Sequence, residues 1–250
     1  ALLSGQVDAI DLVDTRIAER ISETAGFQVV RSKGKAHYTI PMLYDMAPTD
    51  DHHVRMALKH AIDRKQMIDV VLQGFGEIGN DHPISSVNKY FNSELPQRVY
   101  DPDKAKFHLK KAGMENLTVK LSTSEGIWEG AVDAALLYSA SAAKAGINLE
   151  VNKVPSDGYW ADVWLKHPWS ASYWSGRPTE DWMFTVAYAA GGSWNESRWA
   201  HPRFNELLKA ARGELNEDKA RDMYWEMQQL CSDEGGSVIA LFADHLIGHS

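Results

Sequence analysis

Apolar residues along the chain switch between a period of three to four and a period of two. Val54, Ala57, Leu58, Ala61, Ile62, Ile68, Val71 and Leu72 recur at helical spacing, the mark of one buried stripe. Asp50 and Asp51 precede this run and Gly74 follows it, so side-chain caps and a glycine stop predict a single helix between them. Ala36 to Tyr44 is rich in β-branched and aromatic residues around Pro41, which predicts a strand with an edge or bulge at the proline. Ala1 to Asp11 reads as a helix end, a glycine cap at Gly5 and a short strand, and the turn formers from Gly74 to Asn92 read as a surface loop.

Further on, Asp101-Pro102 supplies an N-cap and a first-turn proline for a helix that Gly113 closes. Leu117 to Ser122 alternates, Ala131 to Ala145 is an alanine-rich helix closed by Gly146, and Ile147 to Val151 alternates again. Strand, helix and strand in so short a span predict a βαβ unit with parallel strands and a right-handed crossover. Asp157 to His167 predicts a helix, Ser170 to Trp174 a short strand, Arg203 to Gly213 and Glu217 to Asp233 two amphipathic helices, and Ser237 to Phe242 a continuous apolar strand. The class is α/β, a mixed sheet flanked by helices, in what reads as one lobe of a larger protein.

Composition narrows the partners more than the fold. A formal net charge of −8 argues against nucleic acid, whose phosphates need a basic surface to displace their counterions. No apolar run reaches the roughly eighteen residues that span a bilayer. The chain opens in mid-element without an initiating methionine, which suggests a fragment, so a secretion signal would lie outside it. The single cysteine, Cys231, falls among apolar helix positions and is expected to be a buried, unreactive thiol.

Seven of the nine tryptophans lie between Trp160 and Trp199. Around Trp174 they are interrupted by Gly176, Arg177, Pro178, Glu180 and Asp181, charges that a sealed core accepts only when paired. A ligand-facing wall at the carboxyl end of a strand, where open α/β sheets bind ligands, is the reading that accommodates both. Its candidate residues are Tyr173, Trp174, Arg177, Asp181, Trp182, Trp194 and Asn195. Arg177, fixed between Gly176 and Pro178, could stack on an indole or grip a carboxylate, or else pair with Glu180 or Asp181. Asp181 and Asn195 are candidates for an amine or amide, whereas Trp160 and Trp164, in the preceding helix, are expected to pack as core.

Other motifs carry less. His52, His53 and His60 invite a metal, but His53 and His60 stand two helical turns apart and the one-turn spacing of a zinc helix is missing. Gly74-Phe75-Gly76-Glu77-Ile78-Gly79 ends a helix instead of following a strand, so it is no dinucleotide fingerprint. Adjacent Glu180 and Asp181 do not flank a bond as a hydrolase's two carboxylates must. No catalytic residue and no cofactor is expected.

Four separated segments together resemble a known family. Val54-Arg55-Met56-Ala57-Leu58-Lys59-His60-Ala61-Ile62-Asp63-Arg64 with Gly74-Phe75-Gly76, Tyr100-Asp101-Pro102-Asp103-Lys104-Ala105 running to Gly113, Phe204 to Arg212, and Ala1 to Asp11 are similar to the bacterial family 5 extracellular solute-binding proteins. These are the dipeptide, oligopeptide and nickel receptors of ATP-binding-cassette importers. The resemblance implies a periplasmic-binding-protein-like (type II) fold that closes two lobes on a ligand. It further implies that residues 1–30 are the end of the first lobe and the hinge crossing, that residues 31–250 are the second lobe, and that most of the first lobe and a C-terminal return are absent. The implied partners are a peptide or other small solute and an inner-membrane permease, the location the periplasm, the full-length protein a monomer. Family members carry a Gly-Trp-x-x-Asp type loop where this chain has Tyr173-Trp174-Ser175-Gly176-Arg177; Arg177 stands near the usual acid, which leaves open whether the ligand's ammonium or carboxylate is held. An oligosaccharide-, nickel- or haem-binding receptor of the same family is the alternative, and a carbohydrate-active enzyme a more distant one.

Overall fold

A computed structural model describes residues 1–250. After a 3-10 turn at Leu2–Ser4, closed by Gly5 in the left-handed region, the chain forms β1 (Ala9–Ile10), α1 (Thr15–Glu23), β2 (Gln28–Pro41), α2 (His52–His60), α3 (Arg64–Val71) and β3 (Gly76–Ile78). It continues through α4 (Pro102–Ala112), β4 (Thr118–Thr123), α5 (Ala131–Ala143), β5 (Asn148–Lys153), α6 (Tyr159–Asp162) and β6 (Ser172–Trp174), and ends with α7 (Glu180–Ala187), α8 (Pro202–Gly213), α9 (Glu217–Asp233) and β7 (Ser237–His249). The mixed α/β class is as expected.

The main sheet is antiparallel, in the order β1-β7-β2-β6, with β3 also on β7. Its spine is the pairing of β2 with β7, which runs from Gln28 opposite His249 to Pro41 opposite Ser237 and shifts register twice. Both strands exceed their apolar stretches. The first half of β2 is mostly exposed, so ladder hydrogen bonds rather than buried side chains extend it, and no alternation marks it in the sequence. The βαβ unit forms as expected, β4 and β5 pairing in parallel. The segment after α6 joins the two sheets: Trp169 bridges Met42, Ser170 bridges Ser122, and β6 then runs antiparallel to β2, with Trp174 opposite His37.

Two expected helices differ. The stripe from Val54 to Leu72 is interrupted at Ala61 to Asp63, where Asp63 caps α3 by accepting from the amide of Gln66 at 3.0 Å. The last carbonyls of α2 bond to side chains instead of continuing the ladder: Tyr138 donates to Leu58 O at 2.6 Å, Ser141 to Ala61 O at 2.8 Å and Arg64 to Lys59 O at 3.0 Å. Both helices send their apolar side chains into the same core, so apolar spacing passes through the break unaltered. The helix expected over 157–167 is reduced to the single turn of α6, since Leu165 adopts a φ of 62° that no helix continues through. Within the loop after Gly74, Gly76 and Gly79 lie against the backbone of β7, where a Cβ on Gly76 would meet Phe242 O at 2.6 Å. Those glycines serve close strand approach.

A 26-residue core joins α2 to α5, β4, β5 and β7, and a 16-residue cluster underlies α7 to α9. Leu2, Val13, Ala18, Ile21 and Leu246 make a separate small cluster at the far end of the β2–β7 ribbon. Charges inside the fold are paired. Asp81 is buried, accepts from Arg64 Nη2 at both carboxylate oxygens at 2.8 and 2.7 Å, accepts from Arg98 Nε at 2.9 Å and accepts the amide of Ile239 at 3.0 Å. Lys59, fully buried, donates to Cys231 O, Ser232 O and Gly235 O at 3.3, 2.8 and 2.7 Å and so closes the C-terminal end of α9. Burial lowers its ammonium to about 7. Cys231 beside it is buried, and burial pushes its thiol up.

Burial by itself would raise the Asp81 carboxyl, but Arg64, Lys59 and Arg98 outweigh it and hold it below the ordinary 3.8. A depressed carboxylate contributes stability above its unfolded value and loses that contribution as the pH falls through the folded one. Asp81→Asn strands two buried guanidinium groups and should lower unfolding free energy by about 3–5 kcal/mol. Urea denaturation at neutral pH measures this, and the gap from wild type should narrow as the pH drops below 3.8.

Candidate functional site

The clustered tryptophans divide into core and surface. Trp169 and Trp199 are buried, Trp169 edge-on to Tyr138 at 5.4 Å. Trp160, Trp182 and Trp194 are 42%, 53% and 48% exposed, and Tyr173 beside them is 45% exposed. So many large aromatic faces left in water on one side of a strand end are unusual for a surface without a partner.

Arg177 stands at the corner of this wall. Gly176 takes a φ of 84° and lies so close to β2 that a Cβ would meet Lys35 O at 2.8 Å, while Lys35 Nζ donates to Pro178 O at 2.9 Å. The loop is thereby seated on β2 and the guanidinium is aimed across the rings, 4.9 Å from the Trp174 centroid and 6.0 Å from that of Trp182. It donates to Gly176 O at 2.7 Å. The nearby acids are engaged elsewhere: Asp181 pairs with Arg212 at 3.1 Å, and Glu180, buried, accepts from the amide of Tyr90 at 2.8 Å. Both sit in the first turn of α7, which Thr179 caps. Stacking, one of the two roles foreseen for Arg177, is what its surroundings provide.

Asn195 turns inward. It is buried, and its amide donates to Trp199 O at 2.7 Å, Ala189 O at 3.2 Å and Tyr188 O at 3.4 Å. Its neighbour Glu196 is the residue that sequence reasoning missed. Buried among the aromatics, Glu196 accepts from the indole nitrogens of Trp164 and Trp174 at 2.9 Å each, from Thr39 Oγ1 at 3.0 Å and from Ser172 Oγ. Trp164 and Trp160, expected in the core, line a surface cavity with Tyr173, Trp174, Trp194 and Glu196, and Trp164 is drawn there by its bond to Glu196. One signal was available: Glu196 is the only charged residue between Trp182 and Ser197.

Ser175 lines this alcove and also a second cavity of about 370 Å³, which reaches along β2 and β7 to Asp14, Arg16 and the start of α5. The histidines lie apart from it. His53 Nδ1 is 3.0 Å from His108 Nδ1, and His60 stacks on His108 at 5.8 Å, but no group of three or more His, Cys, Asp or Glu side chains is arranged to hold a metal ion. No helix is long and apolar enough to cross a membrane.

A model of the middle region of the bacterial extracellular solute-binding proteins, family 5, matches residues 1–196. The chain belongs to this family. The dipeptide-binding protein of Escherichia coli is 27% identical over 211 residues, and heme-binding protein A of Haemophilus influenzae 25% identical over 252 residues. These alignments cover 77% and 93% of this chain but 37% and 44% of the relatives, so the chain spans less than half their length. Among solved structures, the periplasmic binding protein DppA from Helicobacter pylori, in complex with peptide STSA, superposes with a TM-score of 0.86 at 21% identity, over all of this chain and 49% of that one. NikA from Staphylococcus aureus, in complex with Ni(L-His)2, superposes with a TM-score of 0.82 at 20% identity. The folds match, and the families of these neighbours are binding proteins.

Burial raises the Glu196 carboxyl above the usual range, against its Ser172, Trp174, Trp164 and Thr39 donors. With a raised folded value, the linked stability is full below the ordinary 4.5 and declines as pH rises through the folded value. Glu196→Gln should abolish that decline, seen as a flatter stability profile in urea denaturation as the pH rises above 4.5.

Proposed function

We propose that this chain is the second lobe, with its hinge crossing, of the substrate-binding component of an ABC importer. In this reading residues 1–30 end the first lobe and cross the hinge, and residues 31–250 form the second lobe. The receptor, a periplasmic monomer, captures a peptide or related small solute between its lobes and delivers it to the inner-membrane permease without catalysing a reaction. Family membership supports the receptor class, and the relatives named for dipeptides support the ligand class.

The observation that carries the reading is the open wall of Tyr173, Trp182 and Trp194 around an arginine that has no carboxylate partner. A second lobe closing over it would exclude water and strengthen any ion pair formed there. Arg177 then binds the ligand's carboxylate, with Trp174 holding the guanidinium flat for a two-point contact. Because Asp181 is paired with Arg212 and Asn195 is bound to backbone carbonyls, recognition of the amine falls to the other lobe or to the hinge-side cavity.

Isothermal titration of the complete receptor with di- and tripeptides tests this. Arg177→Ala should weaken binding by at least about tenfold, the loss expected for a charge-assisted contact. Unchanged affinity would remove Arg177 from the site, and failure of every peptide to bind would sink the ligand class.

A further inference from the structure

The alcove beside Arg177 has a cavity volume of about 340 Å³, near the lower end of small-molecule pockets at roughly 300 Å³. It has ample room for a ring-sized group. Trp160 meets two rings edge to face, Trp164 at 5.8 Å and 78° and Tyr173 at 5.8 Å and 65°, while Trp174 and Trp194 are tilted at 5.9 Å and 51°. Such packing leaves ring faces uncovered, and those of Trp160, Tyr173 and Trp194 are open to solvent.

Glu196 determines what these walls can bind. All four of its lone-pair directions are filled by Trp164, Trp174, Ser172 and Thr39, so the carboxylate is closed to a ligand. By the same bonds, both inner indole N–H groups and the Ser172 hydroxyl are closed to it too. A sugar ring, which must re-pair its hydroxyls on desolvation, is denied these inner partners and finds polar groups only toward the rim. A flat apolar ring needs none. The charge at the rim is the Arg177 guanidinium, held over Trp174.

We propose that the alcove is a subsite for an aromatic ring carried next to a carboxylate, as in a peptide ending in an aromatic residue, and that Glu196 is the positioning residue that fixes its walls. The proposal rests on the receptor reading above and names its substrate class. Four donors from β2, from β6 and from the segment after α6 converge on this one side chain, so both inner indoles are locked before a ligand arrives.

The test is calorimetry of the complete receptor with glycyl-phenylalanine, glycyl-alanine and the amidated form of each. Glycyl-phenylalanine should bind at least about tenfold tighter than glycyl-alanine, and amidation should weaken both. Trp194→Ala and Trp160→Ala, at exposed positions that should leave folding intact, should erase most of that preference. Glu196→Gln should reduce the ratio of the two affinities, a readout that general destabilisation does not move. Equal affinities for the two peptides would overturn the subsite while leaving the receptor reading standing. If neither peptide binds, the receptor reading fails for peptides, and phenylacetate quenching of tryptophan fluorescence decides the subsite: saturable quenching lost in Trp194→Ala supports it. No quenching by phenylacetate, or saturable quenching by maltose instead, overturns it.

Discussion

The antiparallel ladder between β2 and β7 is the interaction on which everything else hangs. It joins residues that lie at opposite ends of the chain, from Gln28 opposite His249 to Pro41 opposite Ser237. β1 and β3 attach to the outer edge of β7, and β6 attaches to the outer edge of β2. Without that ladder, β6 has no edge to pair with and the loop of Arg177 has no Lys35 to rest on. Closing so long a loop is entropically costly, and the ladder's hydrogen bonds form only after that closure. Buried apolar contacts under the sheet, in the two large clusters, must supply most of the compensation.

Buried charge then fixes how the helices sit on this ribbon. Lys59 and Arg64 belong to one of the four segments that resemble the family, and neither lines the cavity beside Arg177. Lys59 closes α9, and Arg64 with Arg98 holds Asp81 against β7. A buried cation tolerates few substitutes, because removing its partner exposes an uncompensated charge to a low-dielectric interior. The motif is therefore informative about architecture, and its link to solute binding runs through the fold. Arg55 makes the same point, bonded to Thr49 O and Asp50 O and stacked 3.6 Å from the Tyr44 ring.

At the site, one carboxylate sorts seven tryptophans. Trp169 and Trp199 pack as hydrocarbon, Trp164 and Trp174 are tethered by their N–H groups to Glu196, and Trp160, Trp182 and Trp194 are left facing water. Arg177 completes the arrangement because its two neighbouring acids are already engaged, by Arg212 and by the Tyr90 amide. A guanidinium on an indole face keeps its outward N–H donors free, which an ion pair with Asp181 would not.

Local pattern by itself determined the helices α4, α8 and α9, the βαβ unit and the mixed α/β class, because caps, glycine stops and period-2 or period-3.6 burial act between near neighbours. It also marked the stretch around Trp174 as one that leaves aromatic rings exposed, since charges among tryptophans signal a surface edge. Tertiary structure alone decided the rest. The break between α2 and α3 depends on Tyr138 and Ser141 reaching in from α5, and the exposed half of β2 depends on a partner strand at the other end of the chain. Which tryptophans are tethered inward depends on Glu196, whose donors come from Thr39, Trp164, Ser172 and Trp174. No periodicity records such a meeting, because it exists only once strands distant in sequence lie side by side.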